Sequence, residues 1–171
     1  MRTIKSRKLK NNPAIPASFL FMLCLAFLSV LPALAAEPVR LVVTKSAFTL
    51  ELFQGDLLLE TFPVAVGKNG GDKQAVGDNR TPEGEFAVSS IEDSRKWAHD
   101  FGDGKGAVKG AYGPWFVRLA TPGWKGIGIH GTHDPASIGT AATEGCIRLR
   151  NSDLVRLVAR TSVGTRVEVL P

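Results

Sequence analysis

A thiol and a histidine 16 residues upstream of it are the residues of this sequence best suited to covalent chemistry. Cys146 lies in the segment Thr143-Glu144-Gly145-Cys146-Ile147-Arg148, and His130 opens a His-Gly-Thr segment. Acyl transfer through cysteine needs a nucleophilic sulfur, a base that takes and returns its proton, and donors for the tetrahedral oxyanion. Cys146 and His130 can supply the first two. The backbone N–H groups of Gly145 and Cys146 can supply the third.

The His130 ring also needs an acceptor that orients it, and no acid is clearly placed to do so. We therefore expect a backbone carbonyl beside it, that of Gly131, to take this role. The alternative interpretation is plain: a buried apolar thiol and a hydrogen-bonded core histidine, since a free cysteine is often only a small buried hydrophobe. Spacing by itself leaves these two interpretations open.

The first 35 residues have the pattern of a cleavable secretion signal. Five basic residues and no acid precede Phe19–Leu31, a 13-residue apolar run, and Ala33-Leu34-Ala35 follows it. A spanning helix needs about 20 apolar residues, so a retained membrane anchor is the less favoured alternative. We expect cleavage after Ala35, export to the periplasm or cell wall, and no stable membrane span afterwards. Cys24 would be removed, and Cys146 would remain as an unpaired thiol in an oxidising compartment, which calls for an explanation.

Charge gives no sign of a nucleic-acid partner. The chain holds 21 Lys and Arg against 16 Asp and Glu, a net of +5, but five of the bases lie in its first ten residues. Residues 36–171 are then formally neutral, and they lack basic blocks with interleaved aromatics. Their length suits one domain with one core, and we expect a monomer.

The elements that must position these residues are mostly strands. Alternating or β-branched apolar runs predict strands over residues 39–44, 47–53, 57–66, 85–91, 115–120, 127–130 and 165–170. One segment has helical periodicity, because Leu154, Val155, Leu157 and Val158 form one apolar stripe. Asn151 or Ser152 can cap this helix, and Gly164 can end it. The pattern predicts a β-rich single domain with one principal helix.

Two long segments have no regular pattern. Residues 67–80 are polar and glycine-rich, which predicts a loop, and Thr81-Pro82-Glu83-Gly84 after them has turn chemistry. Residues 92–113 are charged and glycine-rich, with scattered aromatic residues. A loop of that length inside a compact domain is usually functional or mobile. We interpret it as a lid or a wall of the substrate site, with a disordered surface insertion as the alternative.

Several motifs in the same order resemble the L,D-transpeptidase catalytic domain of the YkuD type. They are His130-Gly131-Thr132, Ser137-Ile138-Gly139, the segment Thr143 to Leu149 around the cysteine, and the upstream turn Thr81-Pro82-Glu83-Gly84-Glu85-Phe86. The resemblance covers roughly residues 39–170. It implies a mainly β, β-sandwich-like catalytic domain over residues 36–171 that acts on peptidoglycan stem peptides without a cofactor or a metal.

The family resemblance also implies a reaction and a set of roles. Such enzymes cut the L,D bond after the third residue of a tetrapeptide stem, release D-alanine and hold an acyl-enzyme on cysteine. A stem amine then gives a 3→3 cross-link, a lipoprotein lysine gives protein attachment, and water gives L,D-carboxypeptidase activity. Cys146 matches the nucleophile, His130 the base, and Arg148, Thr143 and Thr132 the substrate-binding positions. A catalytically silent wall-binding domain is the alternative from another class.

One position departs from the family pattern, which usually reads Ser/Thr-His-Gly-Cys. Glu144 stands in place of that histidine. Because the base is the upstream His130, we expect activity to survive, with Glu144 either disfavouring the thiolate electrostatically or pointing to solvent.

Other candidate residues have plainer interpretations. We expect His99 and His133 to be solvated loop residues, and Trp115 and Trp124 to belong to the core or the rim of the site. A zinc site built from His130, His133 and Cys146 matches no standard ligand spacing.

Overall fold

The computed structural model of the protein describes residues 37–102 and 104–171, so the expected signal segment, its cleavage after Ala35 and Cys24 lie outside the described residues. The described strands are β1 (Val39–Thr44), β2 (Thr49–Gln54), β3 (Leu57–Pro63), β4 (Val66–Gly67), β5 (Gly84–Asp93), β6 (Ala98–His99), β7 (Val108–Lys109), β8 (Trp115–Leu119), β9 (Gly128–His130), β10 (Ala141–Thr143), β11 (Ile147–Arg148) and β12 (Arg166–Leu170). They confirm the mainly β class. Within these residues no helix is long and apolar enough to cross a membrane.

Eight of the strands form one mixed sheet, in the order β11-β9-β8-β5-β12-β1-β2-β3. Two pairs in this sheet are parallel: β1 with β12, which joins the two ends of the domain, and β11 with β9. The core is built from the alternate residues of these strands that point inward, which is the pattern that predicted them. Its largest fully buried side chains include Leu41, Leu50, Leu52, Phe62, Ile129, Ile147 and Leu149.

The described α-helix, α1, spans Asn151–Val158 and buries Leu154 and Leu157 in the core, as predicted, whereas Val155, expected in the same apolar stripe, is half exposed. Its ends differ from the prediction. The N-cap residue is Arg150, without a side-chain cap, because the Asn151 amide is used elsewhere. The helix ends at Val158 and not at Gly164, since the following N–H groups close tighter turns, from Arg160 to the Leu157 carbonyl and from Thr161 to the Val158 carbonyl.

Short strands lie outside the predicted strands or, in the case of β4, at the end of the strand predicted over residues 57–66, which the structure divides after Pro63. β4 and β10 pair with each other beside the main sheet, and β6 and β7 form a hairpin within residues 92–113. Each is two or three residues long, too short to produce a visible periodicity. The segment predicted as an irregular loop or an insertion therefore contains a two-stranded hairpin within its described part.

Candidate active site

His130 is the last residue of β9 and is buried in the floor of a groove. Its ring stacks on the cross-strand neighbour Phe116, with centroids 5.5 Å apart, and meets the edge of Tyr112 at 4.9 Å. Nδ1 lies 2.6 Å from the Gly131 carbonyl oxygen, the contact that the sequence analysis expected. Because a carbonyl only accepts, Nδ1 carries the proton and donates it there. Nε2 is thereby left as the acceptor of the ring.

Cys146 follows a tight turn between β10 and β11. The Thr143 hydroxyl donates to the Cys146 carbonyl oxygen at 2.6 Å and accepts the Gly145 N–H at 3.2 Å. Gly145 has a φ of +132°, and a Cβ there would stand 2.8 Å from the Arg80 carbonyl oxygen, so the turn requires glycine.

This turn changes the expected oxyanion site. Gly145 was expected to donate its N–H to the oxyanion, but that N–H already donates to Thr143 Oγ1. The Gly131 N–H likewise donates to the Tyr112 carbonyl oxygen at 2.8 Å, so Gly131 contributes its carbonyl to His130 and not a donor. In the described part of the chain the Cys146 N–H has no protein partner. Of the backbone groups expected at the oxyanion, it is the one without a hydrogen-bond partner among the described residues.

The parallel pairing of β11 with β9 places Cys146, which directly precedes β11, beside the strand that ends in His130, and the Cys146 Sγ–H donates to the Gly126 carbonyl oxygen at 3.3 Å. Arg148 is in register with His130, and Ile147 with Ile129, which places Cys146 beside Gly128. Since side chains alternate along a strand, Cys146, Arg148 and His130 project to the same side of the sheet. All three line one groove of about 510 Å³.

Burial sets the protonation states of this pair. Cys146 is half-buried, and desolvation raises the pKa of its thiol to about 11. The Gly128 N–H and the charges of Arg148 and Arg118 lower this pKa and so oppose the rise. Glu144 raises this thiol pKa as well, in the expected direction, but it is the smallest of these influences. Desolvation lowers the pKa of His130 to about 3, opposed by the Gly131 carbonyl. Both shifts favour the neutral forms, a thiol and an uncharged imidazole, at neutral pH.

Arg148 is a fixed buried cation beside the nucleophile. Its main-chain N–H and C=O both bond to Ala65, and its Nη1 donates to the Ser137 hydroxyl at 2.9 Å. Nε is buried without a hydrogen-bond partner among the described residues. Burial lowers the pKa of the guanidinium, and the nearby Asp134 and Glu144 carboxylates oppose this shift without reversing it.

The two threonines expected to bind substrate form hydrogen bonds within the protein. Thr143 lines the groove, but its hydroxyl holds the nucleophile turn. Thr132 does not line the groove. Its N–H and C=O bond to the Asn151 side chain at 2.8 and 3.0 Å, and its hydroxyl accepts the Asp134 N–H. The substrate-binding prediction for Thr132 is therefore not supported, because its N–H, C=O and hydroxyl already have partners in Asn151 and Asp134.

Asn151, which sequence reasoning treated as a helix cap, is one of the residues that orders this loop. The Asn151 side chain joins the start of α1 to the residues after His130, and Gly113 and Gly131 approach it so closely that a Cβ at either would clash with its oxygen. A polar residue that opens a helix gives no sign of such a distant partner, so the sequence carried no signal for it.

The walls of the groove come from the two segments that the sequence left irregular. The first segment contributes Lys73, Val76, Gly77 and Asn79, the second contributes His99, Phe101 and Tyr112, and Trp124 and Lys125 also line the groove. Lys73 is buried, pairs with Asp78 at 2.7 Å and lies 5.6 Å from the Trp124 ring centroid. The interpretation of residues 92–113 as a wall of the site agrees with this placement.

The remaining candidates divide between the groove and the surroundings. Trp124 lies at the rim of the groove and Trp115 packs against the core. His133 is exposed, 5.1 Å from the Phe101 ring. His99, expected to be a solvated loop residue, is instead partly buried and hydrogen-bonded through both ring nitrogens, to Tyr112 and to Glu144.

The turn at Thr81-Pro82-Glu83-Gly84 supports the groove from behind. The Thr81 hydroxyl accepts the Gly67 N–H at 2.9 Å, and Glu83 pairs with the buried Lys45 at 2.6 Å. Lys45 also donates to the Gly71 and Thr81 carbonyls. These contacts fix both ends of the loop over residues 67–80 that forms one groove wall.

Comparison with known proteins gives a consistent family. The sequence profile of the L,D-transpeptidase catalytic domain (YkuD) matches residues 38–169. The protein YkuD of Bacillus licheniformis is 33% identical over 134 residues, which are 78% of this chain and 67% of YkuD. The protein YqjB of Bacillus subtilis is 30% identical over 155 residues, 86% of this chain and 83% of YqjB.

Solved structures share the fold. An L,D-transpeptidase of Mycobacterium smegmatis superposes with a TM-score of 0.59 at 24% identity, over 80% of this chain and 59% of that one. L,D-transpeptidase 3 of Mycobacterium tuberculosis, solved with a faropenem-derived adduct, gives a TM-score of 0.58 at 18% identity, over 78% of this chain and 60% of that one. The chain spans about two thirds of YkuD and about three fifths of these solved chains.

Proposed function

The chain belongs to the family of L,D-transpeptidase catalytic domains, and on that premise we propose that it is an exported peptidoglycan L,D-transpeptidase with Cys146 as nucleophile and His130 as general base. The observation that carries the proposal is the state of His130: its Nδ1–H donates to the Gly131 carbonyl, and its Nε2 is an acceptor in the groove that Cys146 also lines. That is the tautomer a base needs in order to take the thiol proton.

The first half of the proposed reaction makes an acyl-enzyme. Cys146 Sγ attacks the carbonyl carbon of the L,D bond that follows the third stem residue, and its proton passes to His130 Nε2. The Cys146 N–H stabilises the oxyanion. The C–N bond then breaks, His130 returns the proton to the leaving amine, and D-alanine departs from a thioester on Cys146.

The neutral resting pair fits this order of events. With the thiol pKa at about 11 and the imidazole pKa at about 3, proton transfer accompanies the attack and does not precede it. The imidazolium formed during the attack is stabilised by the Gly131 carbonyl at Nδ1, which accepts from a ring that has become charged. Arg148, buried in the groove beside Cys146, supplies a fixed positive charge for the anionic groups of a stem peptide.

The second half transfers the acyl group. An amine of a second stem gives its proton to His130, attacks the thioester carbon and displaces the Cys146 sulfur, which recovers the proton. The product is a 3→3 cross-link. A lipoprotein lysine in place of the stem amine attaches a protein, and water gives L,D-carboxypeptidase activity on the same residues.

The test is muropeptide analysis after incubation of purified protein with tetrapeptide stems. We expect release of D-alanine and formation of 3→3 linked dimers, whereas tripeptide without dimers would indicate the carboxypeptidase alternative. Cys146→Ala, with an unchanged fold by circular dichroism, is expected to abolish both products. Release of D-alanine by Cys146→Ala at the wild-type rate would show that the nucleophile is assigned wrongly, and a wild-type protein without any product would favour the silent wall-binding alternative.

Export is part of the same proposal and has its own test. Residues 1–35 are expected to be removed after Ala35. Amino-terminal sequencing of protein recovered from outside the inner membrane should begin at Ala36, and a retained Met1 would contradict the cleavage.

A further inference from the structure

The β6–β7 hairpin is hydrogen-bonded to the nucleophile turn through a single histidine ring. His99, at the end of β6, lies with Nε2 3.1 Å from Oε2 of Glu144 and with Nδ1 2.9 Å from the Tyr112 hydroxyl. Its side chain is 28% exposed and that of Glu144 is 47% exposed. We call these two hydrogen bonds the His99 bridge.

The chemistry of the three groups fixes the direction of each bond. A carboxylate only accepts, so Nε2–H of His99 donates to Glu144. In the neutral ring Nδ1 is then the acceptor, and the Tyr112 O–H donates to it. All three polar groups are satisfied in one arrangement, and the bond to the ionised carboxylate is the stronger of the two.

Both ends of the bridge are anchored to the catalytic residues. The Tyr112 carbonyl oxygen accepts the Gly131 N–H at 2.8 Å, and the Tyr112 ring meets the edge of His130. Glu144 lies between Thr143 and Gly145, inside the turn that presents Cys146. The hairpin is therefore bonded to the base side of the groove and to the nucleophile side at the same time.

The base of the hairpin is held separately. The Gly110 N–H donates to the Trp97 carbonyl oxygen at 2.7 Å, and Trp97 packs against Tyr112 and Phe116. Beyond that base, His99 and Phe101 face the groove. His99 pairs with Val108 two residues beyond Trp97, so its bond to Glu144 is a polar contact of the hairpin that the contacts of Trp97 do not supply.

We propose that Glu144 and His99 are positioning residues, and that the bond between them holds the β6–β7 hairpin as the closed wall of the groove and so sets how tightly a stem peptide is bound. The proposal rests on the proposed function for the identity of the ligand, while the bridge itself does not depend on it. It assigns to Glu144 a mechanical role that neither tuning of the thiol nor exposure to solvent accounts for.

The first experiment measures the hairpin without any substrate. Hydrogen exchange of the amides in β6 and β7 is compared for wild type, Glu144→Ala and Glu60→Gln. Glu60 is the matched control, because it forms a partly exposed pair with Arg156 at 2.7 Å, away from the groove. A partly exposed charged hydrogen bond shifts an open–closed equilibrium by roughly threefold to tenfold. We expect exchange in Glu144→Ala to be faster by that factor and exchange in Glu60→Gln to match wild type.

Two substitutions of His99 separate its two bonds. His99→Gln carries an amide at about the position of Nε2 and keeps a donor for Glu144, whereas His99→Asn keeps a polar group only near Nδ1 and Tyr112. We expect slow exchange to be retained in His99→Gln and lost in His99→Asn. Combining Glu144→Ala with His99→Asn should add little to either single change, since both break the same bond.

The second experiment measures turnover of a tetrapeptide stem. A loosened wall should raise KM by roughly threefold to tenfold and leave kcat within about twofold, because it weakens binding in the ground state and the transition state alike. A fall in kcat at constant KM would place Glu144 at the reacting atoms and overturn the positioning role, and so would faster exchange with unchanged KM.

The two experiments distinguish their failures. Equal exchange rates in wild type, Glu144→Ala and His99→Asn would refute the bridge even if the enzyme turns over normally. Absence of turnover in the wild type would refute the proposed function, while the exchange rates would still decide whether the bridge holds the hairpin.

Discussion

The protonation state of Cys146 can be tested by the pH dependence of its alkylation. Desolvation raises the pKa of this thiol from 9.0 to about 11, a change of about two units. The thiolate fraction at neutral pH is then reduced about 100-fold relative to an unperturbed thiol, since each unit is a factor of ten. A more basic thiolate is also a better nucleophile, and this raises the rate constant of the thiolate itself by a factor of roughly eight. Alkylation by iodoacetamide near pH 7 should therefore be about tenfold slower than in the unfolded chain.

The shape of the profile is as informative as the rate. With a pKa of about 11, the rate should keep rising about tenfold per pH unit through the whole neutral and mildly alkaline range. The assay uses protein without residues 1–35, so that Cys146 is the one thiol, and the same chain in denaturant gives the reference.

The variant His130→Gln decides between a neutral pair and an ion pair. If thiol and imidazole are both neutral, removing the imidazole removes no charge, and the alkylation profile should stay within about half a pH unit of wild type although turnover falls at least ~10²-fold. Water that enters the vacated volume would reduce the desolvation of Cys146 and shift the profile toward lower pH. A wild-type plateau near neutral pH that moves to higher pH in His130→Gln would refute this reasoning, because only an imidazolium partner that stabilises the thiolate produces it.

Three further predictions concern stability, the nucleophile turn and inhibition. Burial lowers the pKa of His130 from 6.5 to about 3, so between these pH values the unfolded chain binds a proton at this residue and the folded chain does not. As the pH drops through this window, the free energy of unfolding should fall by up to about 4 kcal/mol more in wild type than in His130→Gln. Denaturant titrations that give parallel curves for the two proteins would contradict this. Gly145→Ala should lower the free energy of unfolding, measured by thermal unfolding, by roughly 1–3 kcal/mol more than the control Gly139→Ala, and it should lower D-alanine release. Both glycines have positive φ, but only at position 145 would a Cβ meet a carbonyl oxygen. Equal losses of stability in the two variants would argue against this close approach. A carbapenem should add one drug mass to the protein in intact-mass spectrometry, because its strained carbonyl meets Cys146, and an adduct that persists in Cys146→Ala would place the reaction elsewhere.

The sequence determined the elements whose side chains alternate with a clear period. Strands such as Thr49–Gln54 and Arg166–Leu170 bury alternate residues, and α1 buries Leu154 and Leu157 on one side, so the apolar pattern is a direct consequence of the fold. The sequence also determined the tight turn before Cys146, because Gly145 adopts the positive φ that this turn requires and most other residue types do not.

Tertiary structure decided the contacts between segments that are distant along the chain. The hairpin β6–β7, the bond from His99 to Glu144, the use of Asn151 by the Thr132 loop and the loss of the Gly145 N–H as a free donor all depend on distances and directions in space. The protonation of Cys146 and His130 belongs to the same group, because desolvation depends on what surrounds each side chain and not on its sequence neighbours. Residue types and their spacing indicate which groups can react, whereas burial and hydrogen-bond direction determine the protonation state of each group.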